Sequence, residues 1–219
     1  MDRVTRNYLK DILYGVCVGD VLGVPVEFES REYLKNNPVT KMGSGGLHDQ
    51  GIGVWSDDSS LSFCLAESIV EGYDIHRLAS KFIKWKNEGY WTATGEVFDI
   101  GNTTRQSIIN LSKGVHPNLA GGQNEIDNGN GSLMRILPLA LLIKDLSIEK
   151  RFELVKEVSS ITHAHNRSVI SCYYYLEFAL QIMEGKYKFE IYENLKKTIP
   201  EFLNSNKIHI VELTHFDRI

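Results

Sequence analysis

Apolar residues recur along most of this chain at the three- and four-residue spacing of a helical face. The clearest stretch runs from Asn166 to Met183 and is closed by Gly185, which predicts a central core helix. A first helix is predicted over residues 4–22. Shorter helical periods are marked by Leu61, Leu65 and Ile69, by Leu78, Phe82 and Trp85, by Ile108 and Leu111, and by Leu133, Ile136, Leu137, Ala140 and Leu141. Strand-like alternation is confined to Lys207 to Leu213, so the pattern predicts an all-α fold.

Two glycine-rich stretches modify this helical pattern. Gly15, Gly19 and Gly23 lie four residues apart on the first helix, although each glycine costs about 1 kcal/mol relative to alanine there. We expect another backbone or a ligand to approach this stripe closely, and packing alone would also account for it. Residues 43–53 are polar and rich in glycine. They predict a long loop that lies over the surface or over a site.

Composition narrows the class of protein. A chain of 219 residues without a Pro-rich or Ser-rich linker predicts a single domain, 1–219. Its 24 Lys and Arg against 28 Asp and Glu give a net charge of −4, which argues against a nucleic-acid partner. Cys17, Cys64 and Cys172 lack paired spacing, so we interpret them as buried, reduced thiols in a cytoplasmic protein. No apolar run is long enough for a membrane helix, and no signal peptide is recognised.

The run Ser56-Asp57-Asp58 brings two carboxylates and a hydroxyl to the start of a predicted helix. Such hard oxygens can hold a divalent cation. Serine and aspartate are also the commonest N-caps, and taken alone the run is more often a cap than a metal site. The choice between the two therefore depends on acidic residues elsewhere.

Four other polar runs lie at predicted helix boundaries. They are Gly19-Asp20 followed by Glu27, the run from Asp99 to Thr104, the run from Asn128 to Arg135, and Thr162-His163-Ala164-His165. Carboxylates delivered from several helix ends, without a His-rich or Cys-rich set, favour Mg²⁺ or Mn²⁺ over zinc.

In this order the motifs resemble those of the ADP-ribosylglycohydrolase family, the helical enzymes related to dinitrogenase reductase-activating glycohydrolase. The resemblance covers about residues 8–180 and leaves the tail 186–219 unassigned. It implies a compact bundle of orthogonally packed helices. The segments that carry it are Gly15 to Phe28, Trp55 to Ser59, Phe98 to Thr104, Gly129 to Arg135, and Thr162-His163.

The resemblance implies roles for individual residues. In the family a hydroxyl-Asp-Asp triplet binds two Mg²⁺ ions, which implies that Ser56, Asp57 and Asp58 are metal ligands here. Asp57 and Asp58 are also implied to be catalytic, together with Glu27 and Asp99. A solvated loop carboxylate remains the alternative for Glu27.

The implied substrate is ADP-ribose or an ADP-ribosylated protein. Gly129 to Ser132, at the start of a predicted helix, are placed to bind its pyrophosphate through backbone amides. Ordinary hydrogen-bonded or exposed histidines remain the alternative for His163 and His165. The implied substrate-binding residues are Glu27, Asp99, Gly129, Asn130, Gly131, Ser132, Met134 and His163.

The family also carries an Asp-x-Asp-Thr motif near its C-terminus, which supplies the rest of the two-ion cage. These 219 residues contain no such motif. We therefore expect a C-terminally shortened bundle that holds one ion or none in place of two.

Three hypotheses follow from these observations. The first is Mg²⁺-dependent hydrolysis of the bond between ADP-ribose and a protein side chain or small acceptor, through an oxocarbenium-like transition state. The second is an ADP-ribose-binding module, derived from such a hydrolase, that turns over little. The third is a helical interaction protein in which Asp57 and Asp58 are only caps. The sequence identifies neither the acceptor nor the oligomeric state.

Overall fold

Helices form the regular structure of residues 7–206 and 210–216, which are the residues that this computed structural model describes. Within those ranges there is no β-strand, and two isolated bridges join Gly45 to Gln50 and Gly122 to His163. The prediction of an all-α fold is confirmed. No helix among these residues has the length and apolar character needed to cross a membrane.

The chain divides into two units, Met1–Gly101 and Asn102–Ile219. In the first unit, α3 packs against both α1 and α4. Leu61 and Leu65 of α3 and Phe82 of α4 are fully buried, as their helical spacing predicts. The helices of this unit are α1 (Tyr8–Gly23), α2 (Arg31–Asn36), α3 (Asp57–Val70) and α4 (Ile75–Glu88), and a 3-10 turn spans Val24–Val26.

In the second unit, α9 packs against both α8 and α10. Val169, Tyr173 and Leu176 of α9 are fully buried or nearly so, which confirms the predicted core helix. The helices here are α5 (Asn102–Ser112), α6 (Pro117–Ala120), α7 (Ala140–Ile143), α8 (Ile148–Ser160), α9 (Asn166–Met183) and α10 (Lys188–Ser205), with 3-10 turns at Glu125–Asp127, Leu137–Leu139 and Ile210–Phe216. Each unit has its own buried core, and the single-domain interpretation stays a prediction.

The helix predicted from Leu133 to Leu141 is wrong over its first part, because helical structure begins only at Leu137. Residues 131–135 form turns, and a 3-10 turn and the four-residue α7 follow. Pro138 lies inside this segment and cannot donate a backbone hydrogen bond, so a continuous helix does not form there. Gly129 to Ser132 are therefore in a turn and do not begin a helix.

Near both ends of the chain the observed helices differ from the predicted elements. The first helix begins at Tyr8, and residues 4–6 of the predicted 4–22 lie outside the described residues. In the predicted strand, residues 207–209 are likewise outside them, while Ile210–Phe216 is a 3-10 helix, so the strand is wrong over the described part.

Two expectations about α1 are not met. An added Cβ at Gly15, Gly19 or Gly23 would meet no atom within 4 Å, so neither close packing nor a close backbone explains the glycine stripe, and a ligand at the stripe stays a prediction. Cys17 is only half-buried, whereas Cys64 and Cys172 are buried, and all three are free thiols.

Candidate active site

The start of α3 is held by Asp20, which α1 delivers to it. The Asp20 carboxylate accepts hydrogen bonds from the backbone N–H groups of Ser56 at 3.0 Å and Ser59 at 3.1 Å, and from the Ser59 hydroxyl at 2.5 Å. Ser56 is the N-cap and accepts from the Asp58 N–H at 3.3 Å. The capping interpretation is thus correct for Ser56, and Asp20 satisfies further amides of the first turn.

Asp57 is the buried carboxylate of this site, since only 4% of the residue is exposed. Among the residues that the structure describes, none donates a hydrogen bond to its carboxylate. The pKa of Asp57 is raised to about 9. Burial is the largest cause, and the neighbouring carboxylates of Asp58, Asp99, Asp20 and Glu27 add to it. A helix cap alone does not require this arrangement.

Asp58 lies beside Asp57 in a less extreme environment. Burial and the charge of Asp20 raise the pKa of Asp58 to about 6, against the opposing effect of its hydrogen bond with Ser56. The Ser56 hydroxyl donates to Asp20 Oδ1 at 2.8 Å. One lone pair of its oxygen accepts from the Asp58 N–H, and the second is available to a further partner.

Glu27 and Asp99 come from separate loops and meet at His48. His48 Nε2 lies 3.0 Å from Glu27 Oε2 and 3.5 Å from Asp99 Oδ1. Burial raises the pKa of Glu27 to about 7, with Asp99 adding to the rise and His48 opposing it. Asp99 has a φ of +53°, a conformation that is uncommon for a residue with a side chain and is found preferentially at functional sites.

The first unit thus brings together the four carboxylates that the sequence singles out. The charges of Asp58, Asp99 and Glu27 all act on Asp57, so the four groups are close enough to interact. Carboxylate oxygens from three chain segments are the ligands that a hard divalent cation prefers.

The second unit holds the other predicted residues. Gly129 and Asn130 are exposed in the turn, Gly131 and Ser132 are buried, and Met134 is half-buried. The buried Ser132 hydroxyl accepts a hydrogen bond from Ser159 at 2.9 Å. A ligand at this turn would therefore meet backbone groups and the ends of exposed side chains rather than the Ser132 hydroxyl.

His163 lies against the same turn. An added Cβ on Gly131 would be 2.7 Å from His163 Cε1. The Thr162 hydroxyl accepts from Arg135 at 2.7 Å and contacts His163 Nδ1 at 2.9 Å. Burial and the charge of Arg135 lower the pKa of His163 to about 4, so its ring is neutral at physiological pH. His165 caps α9 by accepting from the Arg167 N–H.

Sequence reasoning placed neither Asp20 nor His48 in the site. Asp20 follows Gly19 in a run that the sequence marks, but its spacing does not identify it as the acceptor of three amide and hydroxyl groups of another helix. His48 lies in the glycine-rich loop predicted over residues 43–53. The prediction that this loop lies over a site is the signal that could have identified His48, because a histidine in such a loop can reach the site.

The fold and the carboxylate set define the class of protein. The profile of the ADP-ribosylglycohydrolase family matches residues 1–216, and the chain belongs to that family. A solved structure described as an ADP-ribosylglycohydrolase-related protein complex superposes with a TM-score of 0.70 at 26% identity, covering 84% of this chain and 59% of the other.

Individual relatives are similar over most of this chain. This chain is 31% identical over 166 residues to ADP-ribosylarginine hydrolase Tri1 of Pseudomonas putida (strain GB-1). The match covers 74% of this chain and 43% of the relative. The Tri1 protein of Serratia proteamaculans (strain 568) is 32% identical, with 74% and 44% covered. The ADP-ribosyl-[dinitrogen reductase] glycohydrolase of Rhodospirillum rubrum is 29% identical, with 72% and 52% covered. The chain thus spans about half the length of these relatives.

Proposed function

We propose that this protein hydrolyses the glycosidic bond between the ribose of ADP-ribose and a protein side chain, with Mg²⁺ or Mn²⁺ as cofactor. The observation that carries the proposal is Asp57. A buried carboxylate that faces other carboxylates and accepts no hydrogen bond from the described residues requires either a proton or a cation. Membership of the ADP-ribosylglycohydrolase family supports the choice of reaction.

The oxygen donors of the α3 N-terminus fit the proposed cation. Ser56, Asp57 and Asp58 would hold it, because two carboxylates and a hydroxyl with one available lone pair are ligands suited to Mg²⁺. A bound ion would orient ribose hydroxyls and lower the pKa of a water molecule. Asp20 would keep this end of α3 in place through its hydrogen bonds to Ser56 and Ser59.

Glu27 and Asp99 are proposed to face the reacting sugar. Cleavage at the ribose C1″ passes through an oxocarbenium-like state, which nearby carboxylates stabilise. The reaction breaks the bond from C1″ to the leaving nitrogen or oxygen and consumes one water molecule. The hydroxyl of the water adds to C1″, and its proton goes to the leaving atom.

ADP-ribosyl-arginine is the first substrate to examine, because two of the similar proteins are named ADP-ribosylarginine hydrolases. The turn at Gly129 to Gly131 and the neutral ring of His163 are proposed to contact the ADP-ribose moiety. The exposed backbone at Gly129 suits phosphate oxygens, since glycine has no side chain to hinder a close approach.

The test is release of ADP-ribose from an ADP-ribosyl-arginine peptide, followed by mass spectrometry with added Mg²⁺, with Mn²⁺ and with a chelator. We expect metal-dependent release by the unaltered protein. Asp57→Asn should reduce the rate by at least about 100-fold, because one displaced charge or proton-transfer group is commonly worth that much.

Asp145→Asn is the matched control, because the Asp145 side chain is 86% exposed and should leave the rate unchanged. An ADP-ribosyl-serine peptide tests the alternative linkage. Absence of release from both peptides under every metal condition would contradict the proposed hydrolase. Calorimetric binding of ADP-ribose without release would instead identify a binding module.

A further inference from the structure

The loop of residues 43–53 carries His48 to the carboxylates in a defined conformation. Gly45 and Gln50 exchange two backbone hydrogen bonds of 2.7 and 3.3 Å, and the Gln50 side chain donates to the His48 carbonyl at 2.9 Å. At Gly46, φ is +74° and an added Cβ would lie 2.5 Å from the Pro25 carbonyl oxygen. The loop therefore packs directly on the segment that precedes Glu27, which restricts where the imidazole can lie.

Aromatic rings next to the two carboxylates in sequence also hold the imidazole. The ring centroid of His48 is 5.3 Å from that of Phe98 and 6.4 Å from that of Phe28. Phe28 and Asp99 both have positive φ values, +63° and +53°, each of which costs about 1–3 kcal/mol. Both strained residues lie next to the imidazole of His48. Strain of this kind persists only where the surrounding structure holds the backbone in place.

The spacing of the three side chains matches that of ligands around one ion. Ligand atoms that each lie about 2.1 Å from an ion and subtend about 90–110° are about 3.0–3.4 Å apart. His48 Nε2 is 3.0 Å from Glu27 Oε2 and 3.5 Å from Asp99 Oδ1. Ligand atoms of all three residues lie within 4.8 Å of one another, so a single cation can reach all three with small side-chain movements.

The charge balance favours a divalent cation over an imidazole alone. Two carboxylates meet at this one imidazole, and a single divalent cation balances the charge of both when they coordinate it. The charges of Asp99 and Glu27 also act on the buried Asp57 carboxylate, so a cation held by Glu27 and Asp99 would reduce the repulsion within this whole group.

We propose that Glu27, His48 and Asp99 form a three-ligand site for a first-row transition-metal ion, of the class of Mn²⁺ or Zn²⁺. One imidazole nitrogen and two carboxylate oxygens are a donor set that suits such ions, whereas an all-oxygen set suits Mg²⁺. This site differs from the all-oxygen set at Ser56, Asp57 and Asp58. Its catalytic use rests on the proposed function, but ion binding there does not.

The test uses Mn²⁺ alone, added to the whole chain, and pulsed electron paramagnetic resonance to detect nitrogen coupled to the bound ion. We expect a nitrogen signal in the unaltered protein and in Asp57→Asn. His48→Phe should abolish that signal and weaken Mn²⁺ binding at the site by at least about tenfold, since disturbing even an outer partner of a ligand costs about 10–100-fold.

Two further variants keep the test decisive. His116→Gln replaces an exposed histidine of the second unit and should retain the signal. His48→Gln exchanges the nitrogen donor for an oxygen, so it should lose the signal and lower the ratio of Mn²⁺ to Mg²⁺ affinity. An unchanged circular dichroism spectrum without metal in each variant establishes that the fold persists.

Bound Mn²⁺ without nitrogen coupling, or no binding of Mn²⁺ at all, would overturn the proposed site. A nitrogen signal that persists in His48→Phe would do the same. A nitrogen-coupled ion in a protein that releases no ADP-ribose would leave this site standing and contradict only the proposed hydrolase.

Discussion

The pH dependence of stability provides a direct test of the buried Asp57 carboxylate. Burial, with the charges of Asp58, Asp99, Asp20 and Glu27, raises the pKa of Asp57 from 3.8 to about 9. Between these values the folded state holds a proton that the unfolded state has released, so stability falls as pH rises. From about pH 5 to about pH 8 the loss is at most about 4 kcal/mol, at about 1.36 kcal/mol per pH unit. Protonation of the neighbouring carboxylates reduces it.

Asp57→Asn removes this titration, so its free energy of unfolding should gain about 2–4 kcal/mol relative to the unaltered protein over that pH range. Urea unfolding at a series of pH values, in a chelator, measures the difference. Asp145→Asn, at an exposed side chain, should show no such trend. Saturating Mg²⁺ should flatten the slope of the unaltered protein, because the ion binds the ionised carboxylate. Parallel pH curves for Asp57→Asn and the unaltered protein in chelator would refute the reasoning.

Three further substitutions test the supporting contacts. Asp20→Ala should lower the free energy of unfolding by about 2–3 kcal/mol in urea titrations, since it leaves several donors of α3 without their acceptor; an unchanged midpoint would contradict this. Gly131→Ala should weaken ADP-ribose binding in calorimetry, because its Cβ would be 2.7 Å from the His163 ring, whereas Gly129→Ala, at 3.6 Å, should weaken it less; equal effects would argue against the contact. Thr162→Val should cost about 1–3 kcal/mol, because it removes buried hydrogen bonds, and thermal melting measures it.

Periodic apolar spacing was enough to predict the helical class and the longest core helix, because one buried face every 3.6 residues is a local property of the chain. The same spacing failed near Leu133, where Pro138 blocks a continuous helix. It also suggested a strand at the end of the chain where Ile210–Phe216 forms a 3-10 helix. In both places the apolar residues have the predicted spacing, but the backbone forms a different secondary structure.

The carboxylates of the site were predictable as types of residue, since Ser56-Asp57-Asp58, Glu27 and Asp99 lie at element boundaries in an order that resembles the family's. Their electrostatic environment was not predictable. Whether an aspartate is a solvated cap or a buried, unpartnered group depends on what surrounds it, and Asp57 and Asp58 are adjacent in sequence yet have pKa values raised to about 9 and about 6.

The sequence by itself therefore determined the helical class, the longest core helix and the acidic motifs, because these depend on residues close together in the chain. Only the tertiary structure decided that Asp20 holds the start of α3 and that His48 joins Glu27 to Asp99. These contacts span 36 and 21 residues between Asp20 and Ser56 and between Glu27 and His48. They follow from how α1, the glycine-rich loop and α3 pack together, a relation that no local spacing encodes.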